Sequence, residues 1–294
     1  MTPLTLFVWI VTCLIWSTVW LFIKLGVRDV PPVTFAAFRL AIAIVLLVPI
    51  TWMRRTPLPG TRNEYLLIAS TGIVLLGFNY ALLNWGIQFV SSGLTAVLQA
   101  MTPAFGMVFA HGMLADEKMT PAKAAALALG VAGVAIIFWD QLDFAGERAL
   151  QGSVAVVGGA VCVAFAYVTM RRYGSRLEPS VITSGQMISA VIPLFVYGVI
   201  AEGNPVDVRW TKTALLSVVY LALVGSVAGA WLNYWLLTRV GATRLLVMGL
   251  IEPLLAILLG AAVLGERLNA RAAVGGVLIL VSVAFALDVW KIRR

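Results

Sequence analysis

"VMGLIEPLLAILLG", Val247 to Gly260, holds a single charged residue, Glu252, set directly before Pro253. The apolar run around it reaches from Leu245 to Leu264, about the 20 residues an α-helix needs to cross roughly 30 Å of hydrocarbon. Proline has no N–H to give the carbonyl four residues earlier, here that of Gly249, and favours a bend. An ionisable side chain in such a segment costs about 2.5 to 3.5 kcal/mol on an insertion scale, so it turns toward protein or a watery cavity.

The rest of the 294-residue chain has the same character, with 61% hydrophobic residues and 12% charged. A soluble domain carries about 25% charged residues, so lipid is the expected solvent. Ten spans are expected, at roughly Leu4–Ile23, Val33–Trp52, Tyr65–Leu83, Leu94–Leu114, Ala122–Phe138, Gly152–Met170, Val181–Ile200, Ala214–Leu237, Leu245–Leu264 and Ala272–Leu287. None shows the alternating polarity of a barrel strand. "MTPLTLF" has no basic residue and no small-x-small site follows it, so the first span reads as a retained helix.

The net charge of +8 follows topology and does not point to nucleic acid. With the N-terminus inside, the inner segments hold Arg54, Arg55, Arg62, Lys118, Lys123, Arg171, Arg172, Arg176, Arg239, Arg244, Lys291, Arg293 and Arg294. The outer ones hold only Lys24, Arg28, Arg148, Arg209, Lys212, Arg267 and Arg271. That excess predicts both termini in the cytoplasm. One His and two Cys, Cys13 and Cys162, both inside spans, argue against a metal cluster or a disulfide, and no cofactor is expected.

The chain repeats itself. Thr102-Pro103 stands 150 positions before Glu252-Pro253, and Asn79-Tyr80 stands 154 before Asn233-Tyr234. "MLADEKMT" and "VLGERLNA" bring Glu117 and Glu266 near register, Arg39 aligns with Gln186, and Lys24-Leu25-Gly26 matches Arg172-Tyr173-Gly174. Residues 1–145 and 146–294 thus read as two five-helix repeats. An odd helix count inverts the second, a recurrent plan for secondary transporters with a site near the midplane. The expected fold is an all-α membrane protein of ten transmembrane helices, two inverted repeats around a central cavity.

Four marks carry a family likeness: "PVTFAAFR" at Pro32–Arg39, "TPAF…DE" at Thr102–Glu117, "EPLL…LGE" at Glu252–Glu266, and Trp16-Ser17. In these the chain resembles the drug/metabolite transporter superfamily in its ten-helix EamA-type form, and among its members the amino-acid exporters of the YddG type. Ala115-Asp116-Glu117 departs from the Leu-Gly-Glu usual there. The resemblance implies a cavity lined by helices 1–4 and 6–9, with helices 5 and 10 in support.

Candidate substrate contacts are Trp16, Trp20, Arg39, Asn79, Tyr80, Gln99, Gln186, Tyr234 and Glu252, with bends at Pro103 and Pro253. Trp9, Cys13, Trp16 and Trp20 share one face of the first helix, either packed or lipid-facing, or offered to substrate. Arg39 is a packing anchor or a contact for a substrate carboxylate. Glu252 has two readings, a support for the proline bend or a group that meets substrate or a proton. The first is preferred, because the resemblance implies an EP pair whatever the substrate. Thr102 holds the matching place, where a hydroxyl can bond back to the helix. Gly225-x-x-x-Gly229 reads as close helix packing.

No HExxH, GxSxG or phosphate-binding glycine loop occurs, which argues against an enzyme and against ATP-driven transport. A cavity of amides, tyrosines and tryptophans with one Arg and one Glu suits a small zwitterion with an apolar part. The expected function is secondary export of neutral and aromatic amino acids, or similar metabolites, across the inner membrane by alternating access. Export of other drugs or metabolites, or flipping of a lipid or lipid-linked sugar, is the alternative.

Overall fold

The computed structural model describes residues 2–53, 56–115, 119–140, 146–174, 177–229, 231–232, 235–236, 248–267 and 270–286. Its helices are α1 (Pro3–Gly26), α2 (Pro32–Met53), α3 (Arg62–Gly86) and α4 (Ser92–Met113). There follow α5 (Pro121–Asp140), α6 (Glu147–Tyr173), α7 (Pro179–Glu202), α8 (Lys212–Ala228), α9 (Met248–Leu264) and α10 (Ala270–Ala286). Among the described residues every regular element is helical. Six of them, α1 to α4, α6 and α7, are long and apolar enough to cross a membrane, and the other four are shorter apolar helices.

Helix starts follow local chemistry. Thr2, Ser91 and Thr211 cap α1, α4 and α8 by accepting from the backbone N–H three residues on. "TRNE" forms a capping box on α3, where Glu64 reaches back to the N–H of Thr61 at 3.1 Å. Each cap satisfies a donor that the first helical turn leaves without an intrahelical partner.

Packing pairs elements in a regular way. α2 lies against α7, α4 against α9, and α5 against α10. α1 packs on α8 and α9, while α6 packs on α3 and α4. Two segments wind as π-helix, Ile73–Phe78 within α3 and Leu221–Ala228 within α8. Such segments are rare and concentrate at functional places. The expected glycine contact holds: a methyl group on Gly225 would come within 3.3 Å of Val19 on α1, and one on Gly229 within 3.5 Å of Ile15.

Tertiary hydrogen bonds mark two ends of the bundle. At one, Lys24 Nζ donates to the carbonyls of Ile87, Gln88 and Val90 after α3. Glu202, ending α7, accepts from Val33 N and Thr34 N at 2.9 and 2.7 Å. Glu266 takes Ser92 N at 2.9 Å and Ser92 Oγ at 2.6 Å, and Thr211 Oγ1 donates to Asp29 at 2.6 Å. Glu202 and Glu266 each set a carboxylate on N–H groups that begin a helix and have no intrahelical partner, where the dipole favours negative charge. At the opposite end Arg172 Nη1 donates to Met113 O at 2.6 Å, and Thr51 and Ser184 share a hydrogen bond of 3.1 Å.

"LGE" now has a physical reading. Gly265, at φ +66°, takes the left-handed conformation that ends a helix at little cost only for glycine. Glu266 N then bonds Gly260 O at 3.1 Å, a bond spanning six residues. The turn aims the Glu266 side chain back across α9 to Ser92.

Candidate functional site

A cavity of about 620 Å³ runs between α1, α4, α6 and α9, touching α10 only at Val283. Its lining extends from Ala96 in α4 to Leu114 just past its end, about 27 Å at 1.5 Å per residue. The Ala96 end lies one turn beneath Ser92 and the Glu266 carboxylate. The other end carries Tyr167 and Arg171 of α6. This lining is narrower than the resemblance implies: α2, α3, α7 and α8 contribute none of its described residues.

Four of the expected contacts border it, Trp16, Trp20, Gln99 and Glu252, together with the expected bend at Pro103. Trp16 and Trp20 are one helical turn apart on α1, so both rings reach the same wall. Gln99 Nε2 donates to Val156 O at 3.0 Å and to Asn79 Oδ1 at 3.4 Å, so Asn79 is a buried partner of a lining residue.

Arg39 and Gln186 lie elsewhere. Arg39 is 3% exposed, with Nε bonded to Ser226 Oγ at 3.2 Å and the guanidinium 4.8 Å from the Tyr80 ring centre. That accounts for Tyr80 as well, packed with Arg39 between α2 and α8. Gln186 is buried and donates to Thr71 Oγ1 at 3.0 Å, joining α7 to α3. Tyr234 lies outside the described residues, as do Asn233 and Glu117.

The two proline bends differ in what can be seen. α4 is interrupted at Ala100 and Met101, and its second part begins at Thr102. Pro103 cannot donate to the carbonyl of Gln99 four residues back. Thr102 Oγ1 donates to that oxygen instead, at 2.7 Å, the back-bond expected of it. Pro253 stands within α9, with the Glu252 side chain on the cavity wall beside α1.

Tyr167 and Arg171 are the lining residues that sequence reading passed over. With Ala164 and Val168 they occur at spacings of three, one and three on α6, one face of a helix. Tyr167 is 60% exposed although it sits well inside the apolar span, and the small residues Gly106 and Ala110 of α4 line the same cavity. The signal is that stripe; in the sequence Arg171 stands among the basic residues of the inner segments.

Helices of this length and hydropathy, packed around a cavity, agree with what comparison finds. A family model described as "EamA-like transporter family" matches residues 3–139 and 150–287. The chain belongs to the EamA-like transporter family. It is therefore a multi-pass membrane transporter by family. It is 28% identical over 267 residues to the uncharacterized transporter YoaV of Bacillus subtilis, covering 90% of each chain. It is 28% identical to the uncharacterized inner membrane transporter YedA of Escherichia coli K12, over 87% of this chain and 81% of that one. A probable amino-acid metabolite efflux pump of the same strain is 26% identical, over 90% and 89%. A solved crystal structure shares the fold at TM-score 0.65 and 19% identity, with both chains wholly covered.

Proposed function

We propose that this EamA-family protein is a secondary transporter of the inner membrane that exports neutral and aromatic amino acids, or similar small zwitterions, by alternating access. The observation that carries the reading is the cavity lining. Two indoles, an amide, a phenol, a hydroxyl, one carboxylate and one guanidinium border a space otherwise walled by apolar, mostly small residues. Indole faces attract an ammonium and an apolar side chain, and a guanidinium pairs with a carboxylate. The efflux pump among its relatives supports the same substrate class.

The reading includes ten spans in two inverted repeats, 1–145 and 146–294, with both termini cytoplasmic. Its support is the reciprocal packing: α1 on α8 and α9, α6 on α3 and α4, with α2–α7, α4–α9 and α5–α10 as self-matching pairs. The same family model matching both 3–139 and 150–287 and the two π-helical segments point the same way. The basic residues then place the Lys24 end outside. A cavity that ends one turn beneath the Ser92–Glu266 contact and extends to Arg171 fits an inward-facing state.

One observation favours a second reading, a flippase. A groove of about 820 Å³ between α2, α3 and α7, lined by Phe78, Trp85, Pro193 and Tyr197 among others, lies where Phe78 and Tyr197 are each 58% exposed toward the bilayer. Purified protein in liposomes separates the two. Uptake of labelled tryptophan, phenylalanine or leucine supports the exporter. Movement of a lipid-linked sugar or a lipophilic cation, with no amino acid carried, rejects it.

A further inference from the structure

Both N–H groups of the Gln99 amide are committed. Nε2 donates to Val156 O at 3.0 Å and to Asn79 Oδ1 at 3.4 Å. A backbone carbonyl only accepts, so the contact with Val156 fixes which end of the amide is which. Gly159 makes room for it: a methyl group there would stand 2.6 Å from Asn79 Oδ1 and 2.9 Å from Gln99 Nε2. Asn79 is buried and directly follows the π-helical segment of α3. Among the described residues nothing donates to Gln99 Oε1, and Gln99 borders the cavity between α1, α4, α6 and α9. The amide therefore offers that cavity an acceptor. Its depth follows from packing. Gly93 lies against Ile257 and Ser92 against Gly260, as antiparallel neighbours of α4 and α9. Six to seven residues further along α4, Gln99 comes level with Ile251 to Pro253, where Glu252 borders the same cavity. Trp16 packs in one cluster with Cys13 and Leu255, a turn from Glu252, and Trp20 follows one turn along α1.

We infer that this part of the cavity reads the substrate's ammonium, with Gln99 Oε1 as its hydrogen-bond acceptor and Asn79 and Gly159 as the residues that position that oxygen. This rests on the amino-acid reading given above and widens its substrate class to primary amines that carry an apolar group and no carboxylate. An ammonium has three N–H donors and no acceptor, so it needs oxygens. The faces of Trp16 and Trp20 add cation–π attraction. The Glu252 carboxyl is a second acceptor at this depth, one that an amide in its place would keep. Arg171 stands fifteen residues beyond Val156 on α6, about 22 Å at 1.5 Å per residue. The ammonium and carboxylate of an α-amino acid share one carbon, so a molecule held at Gln99 has its carboxylate out of reach of that guanidinium. The ammonium is then the charge by which this site sorts its substrates.

The test measures initial uptake of labelled L-phenylalanine into proteoliposomes against two competitors. Phenethylamine lacks the carboxylate, and 3-phenylpropionate lacks the ammonium. Phenethylamine should compete within about threefold of unlabelled phenylalanine, and 3-phenylpropionate should be at least about tenfold weaker, the scale of one hydrogen bond to a charged group. Gln99→Met keeps the bulk, removes the oxygen and should reduce the amine's advantage to about twofold or less. Gly159→Ala keeps Gln99 but displaces its amide, so it should cut the advantage several-fold and carries the test if the Met variant does not fold. Gly158→Ala, whose methyl group would meet Leu82 at an ordinary 3.5 Å, should leave the advantage as in wild type. Thermal melts identify the folded variants. A merely structural Gln99 would change the uptake rate and leave the ratio between the two competitors unmoved. The assignment is overturned if 3-phenylpropionate competes with the wild-type protein as well as phenethylamine does, or if folded Gln99→Met or Gly159→Ala keeps the full advantage; amino-acid export stands in either case. If wild-type protein transports no amino acid, the functional reading itself fails and the assignment goes with it.

Discussion

Arg39 Nε donates to Ser226 Oγ at 3.2 Å, inside the π-helical segment of α8, while its guanidinium lies over Tyr80, just past the π-helical segment of α3. One side chain from α2 thus bridges the two helices whose winding departs from the α-helix. Among the described contacts of Arg39 none is with a carboxylate. Replacing such a buried cation by an apolar side chain of similar volume is often neutral or stabilising for the fold.

Arg39→Met should therefore leave folded yield near wild type, yet lower the transport rate by roughly tenfold with apparent affinity unchanged, as expected when an interaction outside the binding step is lost. Kinetics in proteoliposomes beside a thermal melt would check it. A collapse of affinity at normal rate would make Arg39 a substrate contact.

Thr102 offers a cleaner test of the proline bends. Thr102→Val keeps the shape and removes the donor to the part-buried Gln99 O, a hydrogen bond of the kind worth about 0.5 to 1.5 kcal/mol net. Thr102→Ser should cost little. Stability in detergent by thermal or chemical melting reads the difference, and equal melts for Val and Ser would show that the back-bond contributes nothing.

In the proposed repeat, Glu252 is the counterpart of Thr102. Glu252→Gln should retain substantial transport, because an amide can still serve the bend, whereas Glu252→Leu should lower folded yield. Transport abolished in the Gln variant at normal expression and melting would instead make Glu252 a carrier of a proton or of the substrate's ammonium. Loss of pH dependence in the same variant would point to the proton.

Much of the fold was legible because a span must be long and apolar, and the chain advertises each one. The proposed repeat rests on a related reason. Prolines and charges are so costly in lipid that few positions hold them, so matches such as Thr102-Pro103 with Glu252-Pro253 stand out. The site was only partly legible. Trp16, Trp20, Gln99 and Glu252, which line the cavity, stand out in the sequence because they are unusual residues for a span. Arg171, which also lines the cavity, does not stand out because its charge has an ordinary explanation near a helix end. The partnerships of Arg39, Lys24 and Glu266 join residues 187, 63 and 174 positions apart, and no local pattern reports those.

The contacts at the Lys24 end yield a prediction about conformation. Lys24→Met removes the donor to three carbonyls, and Glu266→Gln weakens the charge-assisted contact with Ser92. Each should raise the outward-facing population several-fold. The readout is labelling of a cavity cysteine from the external side, and Lys24→Arg should largely restore the wild-type pattern. Unchanged labelling in both variants would mean that these contacts do not hold the end shut.

The central claim is that substrate passes through the cavity between α1, α4, α6 and α9, opened by turns to either side. The most direct measurement replaces Gly106, where an added side chain meets nothing within 4 Å, by cysteine in a protein whose Cys13 and Cys162 are serine. A membrane-impermeant maleimide is then applied to vesicles of known orientation. The prediction is strong labelling from the cytoplasmic side, slowed by a transported amino acid and indifferent to a compound that is not transported. Labelling from the external side alone, or labelling that a transported amino acid leaves untouched, would contradict it.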